Sequence, residues 1–223
     1  MKQKFLLFIL ILFSTLFIQE RVPFLIAHEA VAPREAVLAT REMSLANRYA
    51  NEWVNDVFKD NILLTISYAS GQVRQASDIN WDAVKQSQRY EVVLQPGEVF
   101  AYHDDVLPEF RDKTIVTTNA RFGAGQGFRS SGSLYGDGVC HFASLIHWAA
   151  QDAGLKVTSL VNHDFANIPE VPREYGTSII TTGTPSLNAQ RQNLYVENTF
   201  EYPVKIVFDY AQDTDILQVS VTK

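Results

Sequence analysis

Cys140 is the only cysteine in the 223-residue chain, and the residues around it suit nucleophilic chemistry. It sits in Gly136-Asp137-Gly138-Val139-Cys140-His141, where a glycine-rich loop runs into apolar positions at Phe142, Leu145, Ile146, Ala149, Ala150 and Ala153. That spacing is one buried face of a helix. A thiol in the first helical turn faces unpaired backbone N–H groups and the positive end of the helix dipole, and both favour the thiolate. The competing reading is a buried cysteine acting as a small hydrophobe. The glycines on both sides of Asp137 weigh against it, because a core position does not need a permissive, closely approachable backbone.

A nucleophilic thiol needs a base, and the chain offers 5 histidines. His28 lies in the leader. His141 follows Cys140 directly, about 100° round the helix, so its side chain is expected to diverge, although its adjacency keeps it a candidate. His147 shares the cysteine's face but lies ~10 Å down the axis, too far for direct proton transfer. His163 is better placed. The helix carries the chain ~20 Å from Cys140 to Gly154, and an extended return from Leu155 covers ~26 Å, which brings His163 back beside the helix start. Cysteine on a helix and histidine on a strand is the logic of papain-like and other cysteine acyl-transfer sites. His103, before Asp104 and Asp105, reads as a turn or a cleft wall.

Other constellations carry less. Gly123-Ala124-Gly125-Gln126-Gly127 has Phe128 where a dinucleotide fingerprint needs its third glycine, and no Gly-Lys-Ser/Thr follows. It reads as a mobile loop or lid over the site, continuing into Ser130-Ser131-Gly132-Ser133. His103, Asp104, His163 and Asp164 lack the spacing of a metal motif, so no metal and no cofactor is expected. The net charge of −6, without a cluster of lysines or arginines past the leader, gives no reason to expect nucleic acid.

The N-terminus points to export. A basic Met1-Lys2-Gln3-Lys4 precedes an apolar run from Phe5 to Ile18, shorter than a typical spanning helix. Gln19-Glu20-Arg21 interrupts it before Val22 to Ala27. Residues 1–32 are therefore a signal peptide or, uncleaved, an anchor through residues 5–27; Pro33 follows the small-residue site Ala30-Val31-Ala32. The protein is expected outside the cytoplasm, secreted or held at the cytoplasmic membrane. An exported chain with one cysteine makes no internal disulfide.

The remaining elements must position the thiol. Residues 33–60 read as a helical lead-in, with a rough apolar stripe from Arg34 to Lys59. Asn61 to Tyr68 alternates and reads as a strand, and Asp78 to Lys85 as a short capped helix. Strands are expected at Glu98–Tyr102, Leu155–Val161, Leu194–Glu197, Val204–Tyr210 and Ile216–Val221, with Gly154 ending the cysteine helix. Val106 to Ala120 gives no clear pattern. The fold class is α+β, a mostly antiparallel sheet packed on a central helix that starts at Cys140, with one domain over 61–223.

Two runs carry a resemblance. Leu94-Gln95-Pro96-Gly97-Glu98-Val99-Phe100, followed by the Gly-x-Gly-Val-Cys turn and helix, resembles the VanW-like domain family. So does the closing Asn193-Leu194-Tyr195-Val196-Glu197-Asn198-Thr199-Phe200-Glu201-Tyr202-Pro203-Val204-Lys205-Ile206. The similarity runs from about Asn61 to the C-terminus. It implies an exported or anchored bacterial cell-wall protein acting on peptidoglycan stem peptides, some members being cysteine L,D-transpeptidases. In such chemistry the thiolate attacks the carbonyl of the third stem residue and expels the terminal D-amino acid. A side-chain amine on a neighbouring stem then resolves the thioester.

Carried over by residue, Cys140 takes the family's cysteine position and His163 that of a histidine after the next strand. Three positions depart from the pattern. Asp137 stands between the glycines, able to cap the helix yet opposing thiolate formation. His141 stands where glutamine is usual. Gly176 of Gly176-Thr177-Ser178-Ile179 stands where a carboxylate would orient the histidine, so that role falls to Glu174, Asp164 or a backbone carbonyl. The expected function is acyl transfer on stem peptides, with Gly136, Asp137, Gly138 and Val139 forming the loop and N–H groups of Gly138 to His141 the oxyanion site. The alternatives are a non-catalytic wall-binding or scaffolding module of the same type, and a cysteine peptidase or amidase.

Overall fold

The computed structural model describes residues 35–132, 136–181 and 184–223. The leader assignments, His28 and Ser133 lie outside the described residues. In chain order the elements are β1 (Val37–Ser44), α1 (Glu52–Ala69), α2 (Trp81–Val84), β2 (Gln88–Leu94), β3 (Val99–Ala101) and β4 (Ile115–Thr117). They continue as α3 (Val139–Asp152), β5 (Lys156–Thr158), α4 (Leu187–Arg191), β6 (Tyr195–Glu197), β7 (Val204–Ala211) and β8 (Ile216–Thr222). The fold is α+β. One antiparallel sheet runs β1-β8-β7-β2; a second runs β4-β3-β6-β5, with β3 and β4 its parallel pair. Among the described residues no helix is long and apolar enough to cross a membrane.

The central helix behaves as its apolar spacing predicts. Phe142, Leu145, Ile146, Ala149 and Ala150 are fully buried, and each large apolar side chain so placed stabilises the fold by ~1.5–3 kcal/mol. Phe142 meets the Phe208 ring of β7 edge-on at 5.0 Å, which seats α3 on the first sheet. Gly154, at φ 84, ends the helix as expected. The three C-terminal strands, β3 and α2 also fall where the pattern puts them.

Two expectations fail at the N-terminal end. The helical lead-in over residues 33–60 is a strand followed by the first half of a helix. β1 forms because it pairs with β8, about 180 residues away in sequence, and no local pattern records such a partner. The strand expected at Asn61–Tyr68 is the second half of α1. Every residue from Asp60 to Ala69 is buried, so the helix has no wet face there and its 3.6-residue period disappears. Its start is conventional: Asn51 caps it, its side chain accepting from the N–H of Val54 at 3.2 Å. The return strand, expected over Leu155–Val161, is only β5. β2, which pairs with β7, was not visible in the sequence reading.

α1 fixes the entrance to α3. The Phe58 backbone passes so close to Gly138 that a Cβ there would lie 2.7 Å from the Phe58 oxygen and 2.8 Å from its Cα. Gly138 also sits at φ 94, which L side chains avoid. One turn along, the buried Asn61 amide donates to the carbonyls of Arg129 (3.0 Å) and Asp137 (2.8 Å) and accepts from the Arg129 N–H at 2.8 Å. Gly138→Ala is expected to lower the unfolding free energy by about 2–3 kcal/mol. Gly125→Ala, with nothing within 4 Å of the added carbon, should change it by less than about 0.5 kcal/mol. Denaturant unfolding of the two variants checks this; equal effects would contradict the close-approach account.

Candidate active site

Cys140 is the second residue of α3 and lies on the wall of a cavity of about 870 Å³. The residue as a whole is half-buried. The Ile179 N–H donates to Sγ at 3.4 Å, and Sγ–H reaches the Ile179 carbonyl at 3.7 Å. Ile179 is held there by a chain of buried bonds. Ser144 Oγ donates to the Cys140 carbonyl at 2.7 Å and accepts from the Thr177 N–H at 2.8 Å, and Thr177 Oγ1 lies 3.0 Å from His147 Nδ1. His147 is thus a buried structural group, bonded also to Gln151 at 3.0 Å, and distant from the thiol's chemistry as its spacing implied.

The helix N-terminus does not leave Cys140 as a thiolate at rest. Burial pushes the Cys140 thiol up to about 11; the Ile179 N–H opposes this, and the Asp137 charge adds to it. Desolvation of an anion outweighs a few oriented N–H dipoles. Asp137 is not a helix cap: its carboxylate accepts from the N–H and Oγ of Ser131, both at 2.7 Å, pinning the loop before the helix. The expected oxyanion donors also narrow. The N–H groups of Val139 and His141 are engaged by the carbonyls of Gly136 and Gly138, at 3.1 and 3.0 Å. The N–H groups that face the sulfur are those of Ile179 and Cys140 itself.

His163 and His141 both line the cavity with Cys140, although β5 is too short for the extended return inferred from sequence. The chain reaches the site through an irregular loop instead. The two imidazoles meet edge-on at 5.9 Å, and His141 packs on Phe58 at 5.0 Å. Adjacency to Cys140 therefore does not send His141 away from the site. It is nevertheless a poor base: burial, the Arg48 charge and His163 hold it down to about 3, and its Nδ1 is buried without a partner among the described residues.

His163 differs in how it is held. Its Nδ1 lies 3.2 Å from the Ala166 carbonyl. A carbonyl only accepts, so Nδ1 carries the proton and Nε2 keeps its lone pair. Burial lowers its pKa, which keeps the ring neutral and able to accept a proton near neutral pH. Glu174 and Asp164, offered as orienting carboxylates, do not bond the ring: both side chains are exposed, and Ala166 does that work. Gly176 explains the missing carboxylate. A Cβ there would lie 2.8 Å from Asn162 Oδ1 and 3.2 Å from the His163 carbonyl.

Four wall residues had no sequence signal. Arg48 is buried, its Nη2 bonded to Glu170 at 2.7 Å and to Asn47 at 2.6 Å, and its Nη1 to the Pro169 carbonyl at 3.2 Å. This ties the His163 loop to the β1–α1 connection, with Glu170 at the unusual φ of 69. Arg121 stands elsewhere on the wall, and Tyr49 and Phe165 are exposed aromatics there. The Gly123–Gly132 stretch, expected as a mobile lid, lines the cavity but is seated on the core. Phe128 is buried against Tyr68 and Phe122, at ring distances of 5.8 and 5.4 Å.

A two-sheet α+β domain with a cysteine at the start of its central helix and a histidine lining the same cavity defines the class. The family model described as "VanW like protein" matches residues 83–221, and the chain belongs to that family. No curated protein and no solved structure matches the chain.

Iodoacetamide labelling of Cys140 reads the thiol state directly. With the thiol pushed up to about 11, labelling at pH 7.5 should run roughly a hundredfold slower than for an ordinary exposed thiol, because only the thiolate reacts. The rate should climb as pH rises through 9 to 11. Labelling as fast as free cysteine at neutral pH would show a thiolate already formed.

Proposed function

We propose that this protein is an extracytoplasmic cysteine acyl-transferase acting on peptidoglycan stem peptides, L,D-transpeptidase-like in its chemistry. The observation that carries the reading is the single cavity lined by Cys140 and by His163, whose Nε2 lone pair is free. His163 Nε2 takes the thiol proton as Sγ attacks a stem-peptide carbonyl. The tetrahedral oxyanion collapses, the C–N bond breaks, and His163 returns the proton to the departing amine. A thioester remains on Cys140. An acceptor amine then attacks it, losing a proton to His163, and the thiol re-forms.

Drawing a proton from a buried thiol is the demanding step. Substrate that excludes water and closes the His163 loop onto the sulfur stabilises the developing thiolate–imidazolium pair. The pocket wall is mixed in charge: Arg48 and Arg121 stand on it, each paired with a carboxylate (Glu170 and Asp104), beside Asp137. His141 serves as a neutral wall group. The basic-then-apolar run of residues 1–27 supports a position on the outer side of the cytoplasmic membrane, anchored through residues 5–27 if uncleaved.

One observation favours a second reading. Sγ is bonded to the Ile179 backbone and to neither imidazole, as suits a wall-binding module that has kept its cleft without the chemistry. Incubation with purified muropeptides followed by intact-mass measurement separates them. The enzyme reading expects an acyl adduct that Cys140→Ala abolishes, and His163→Gln slows its formation by roughly 10²–10⁴-fold. Added acceptor amine should give cross-linked product; product only from water makes the protein an amidase. Binding without adduct, identical in Cys140→Ala, makes it a module.

A further inference from the structure

One residue beyond β3 lies His103-Asp104-Asp105, which bonds Gln192 and Arg121 of the pocket wall. His103 and Asp105 are buried, at 0% and 2% exposure. Both carboxylate oxygens of Asp105 are buried with no hydrogen-bond partner among the described residues. A buried carboxylate is normally paired, hydrogen-bonded or bound to a cation. One ligand atom from each of the three residues can be chosen so that all lie within 4.8 Å of one another.

The imidazole is set up as a ligand. Its Nε2 lies 3.1 Å from the Gln192 carbonyl, so it donates there, and Nδ1 keeps its lone pair on the Asp105 side. A second ring nitrogen donating to a carbonyl is the usual support of a metal-bound histidine. Nδ1 is now met only by the Asp105 N–H, at a long 3.3 Å. The backbone is held by Asn193, whose Nδ2 donates to the carbonyls of His103 (3.0 Å) and Asp105 (3.1 Å); Tyr195 Oη donates to the Gln190 carbonyl at 2.7 Å and lies 3.2 Å from that of Asp105. Asp104 is the exposed member and currently pairs with Arg121 Nη2 at 2.6 Å. An incoming cation takes that carboxylate from Arg121.

We propose that His103 Nδ1 and the carboxylates of Asp104 and Asp105 form a divalent-cation site adjoining the pocket wall, structural in role and separate from Cys140. One nitrogen and carboxylate oxygens, without sulfur, suit an ion such as Mn²⁺. Sequence spacing did not suggest it, because three consecutive residues converge only through the turn that Asn193 holds.

The test titrates Mn²⁺ into metal-free full chain carrying Cys140→Ala, which removes the thiol as a competing ligand, and follows the free-ion signal by electron paramagnetic resonance. One bound ion per chain is expected. Asp105→Asn and His103→Gln should each weaken binding by roughly tenfold or more. Without metal, Asp105→Asn should unfold at no lower temperature than its parent, since it removes no hydrogen bond of the buried, unpartnered carboxylate. No binding at millimolar Mn²⁺ overturns the proposal. So does undiminished binding by Asp105→Asn, which marks a surface ion only. Neither result depends on acyl-transfer activity.

Discussion

The close approach of α1 to the start of α3 is the constraint on which the site depends. A helix N-terminus that points into a cavity must be held from behind, and here the Phe58 backbone lies where a side chain on residue 138 would be. Only glycine tolerates both that contact and the φ of 94. The buried Asn61 amide then satisfies three backbone groups of the incoming loop, groups that would be costly to leave unpaired. The position of Cys140 therefore follows from a helix about eighty residues earlier. The first sheet contributes by holding the rest of α3 through Phe142 and Phe208.

Electrostatics at the sulfur are a contest in which burial wins. The helix terminus and the Ile179 N–H favour the anion, while desolvation and Asp137 oppose it. A thiol held protonated at rest does not react with stray electrophiles. On the acyl-transfer proposal, it would become a nucleophile only when a base took its proton within the same encounter. The identity and state of that base then matter more than the thiol's own surroundings. His163 suits the role because burial keeps it neutral and Ala166 selects its tautomer. His141, nearer in sequence, is too thoroughly desolvated to take a proton.

Periodicity read the fold well wherever an element has one wet and one dry face. The α3 stripe, the C-terminal strands and the Gly154 cap were legible for that reason. It failed at α1, whose second half is buried all round, and at β1, which owes its existence to β8. For the site, residue type singled out Cys140 and His163, which line one cavity, but the geometric argument for His163 was only partly sound. The ring arrives through a loop whose anchor, the Arg48–Glu170 pair, joins segments about 120 residues apart. Arg48 and Arg121 carried no local signal, since a lone arginine in a sequence does not say which cavity it will line.

Gly176 shows how an apparent defect can be a consequence of packing. Read as a missing carboxylate, it casts doubt on the histidine's support. In the fold, a Cβ on residue 176 would crowd the Asn162 side chain at 2.8 Å and the Arg173 and His163 carbonyls at 3.2 Å. A carboxylate there would need Asn162 to turn aside and the His163 loop to give by a few tenths of an ångström. With glycine the loop closes in, and Ala166, three residues beyond the histidine, supplies the carbonyl its Nδ1 requires. A carbonyl fixes the tautomer as a carboxylate does but adds no full negative charge to stabilise the imidazolium. The histidine is thereby held in one tautomer and kept neutral by burial, the state that the proposed acyl transfer asks of its base.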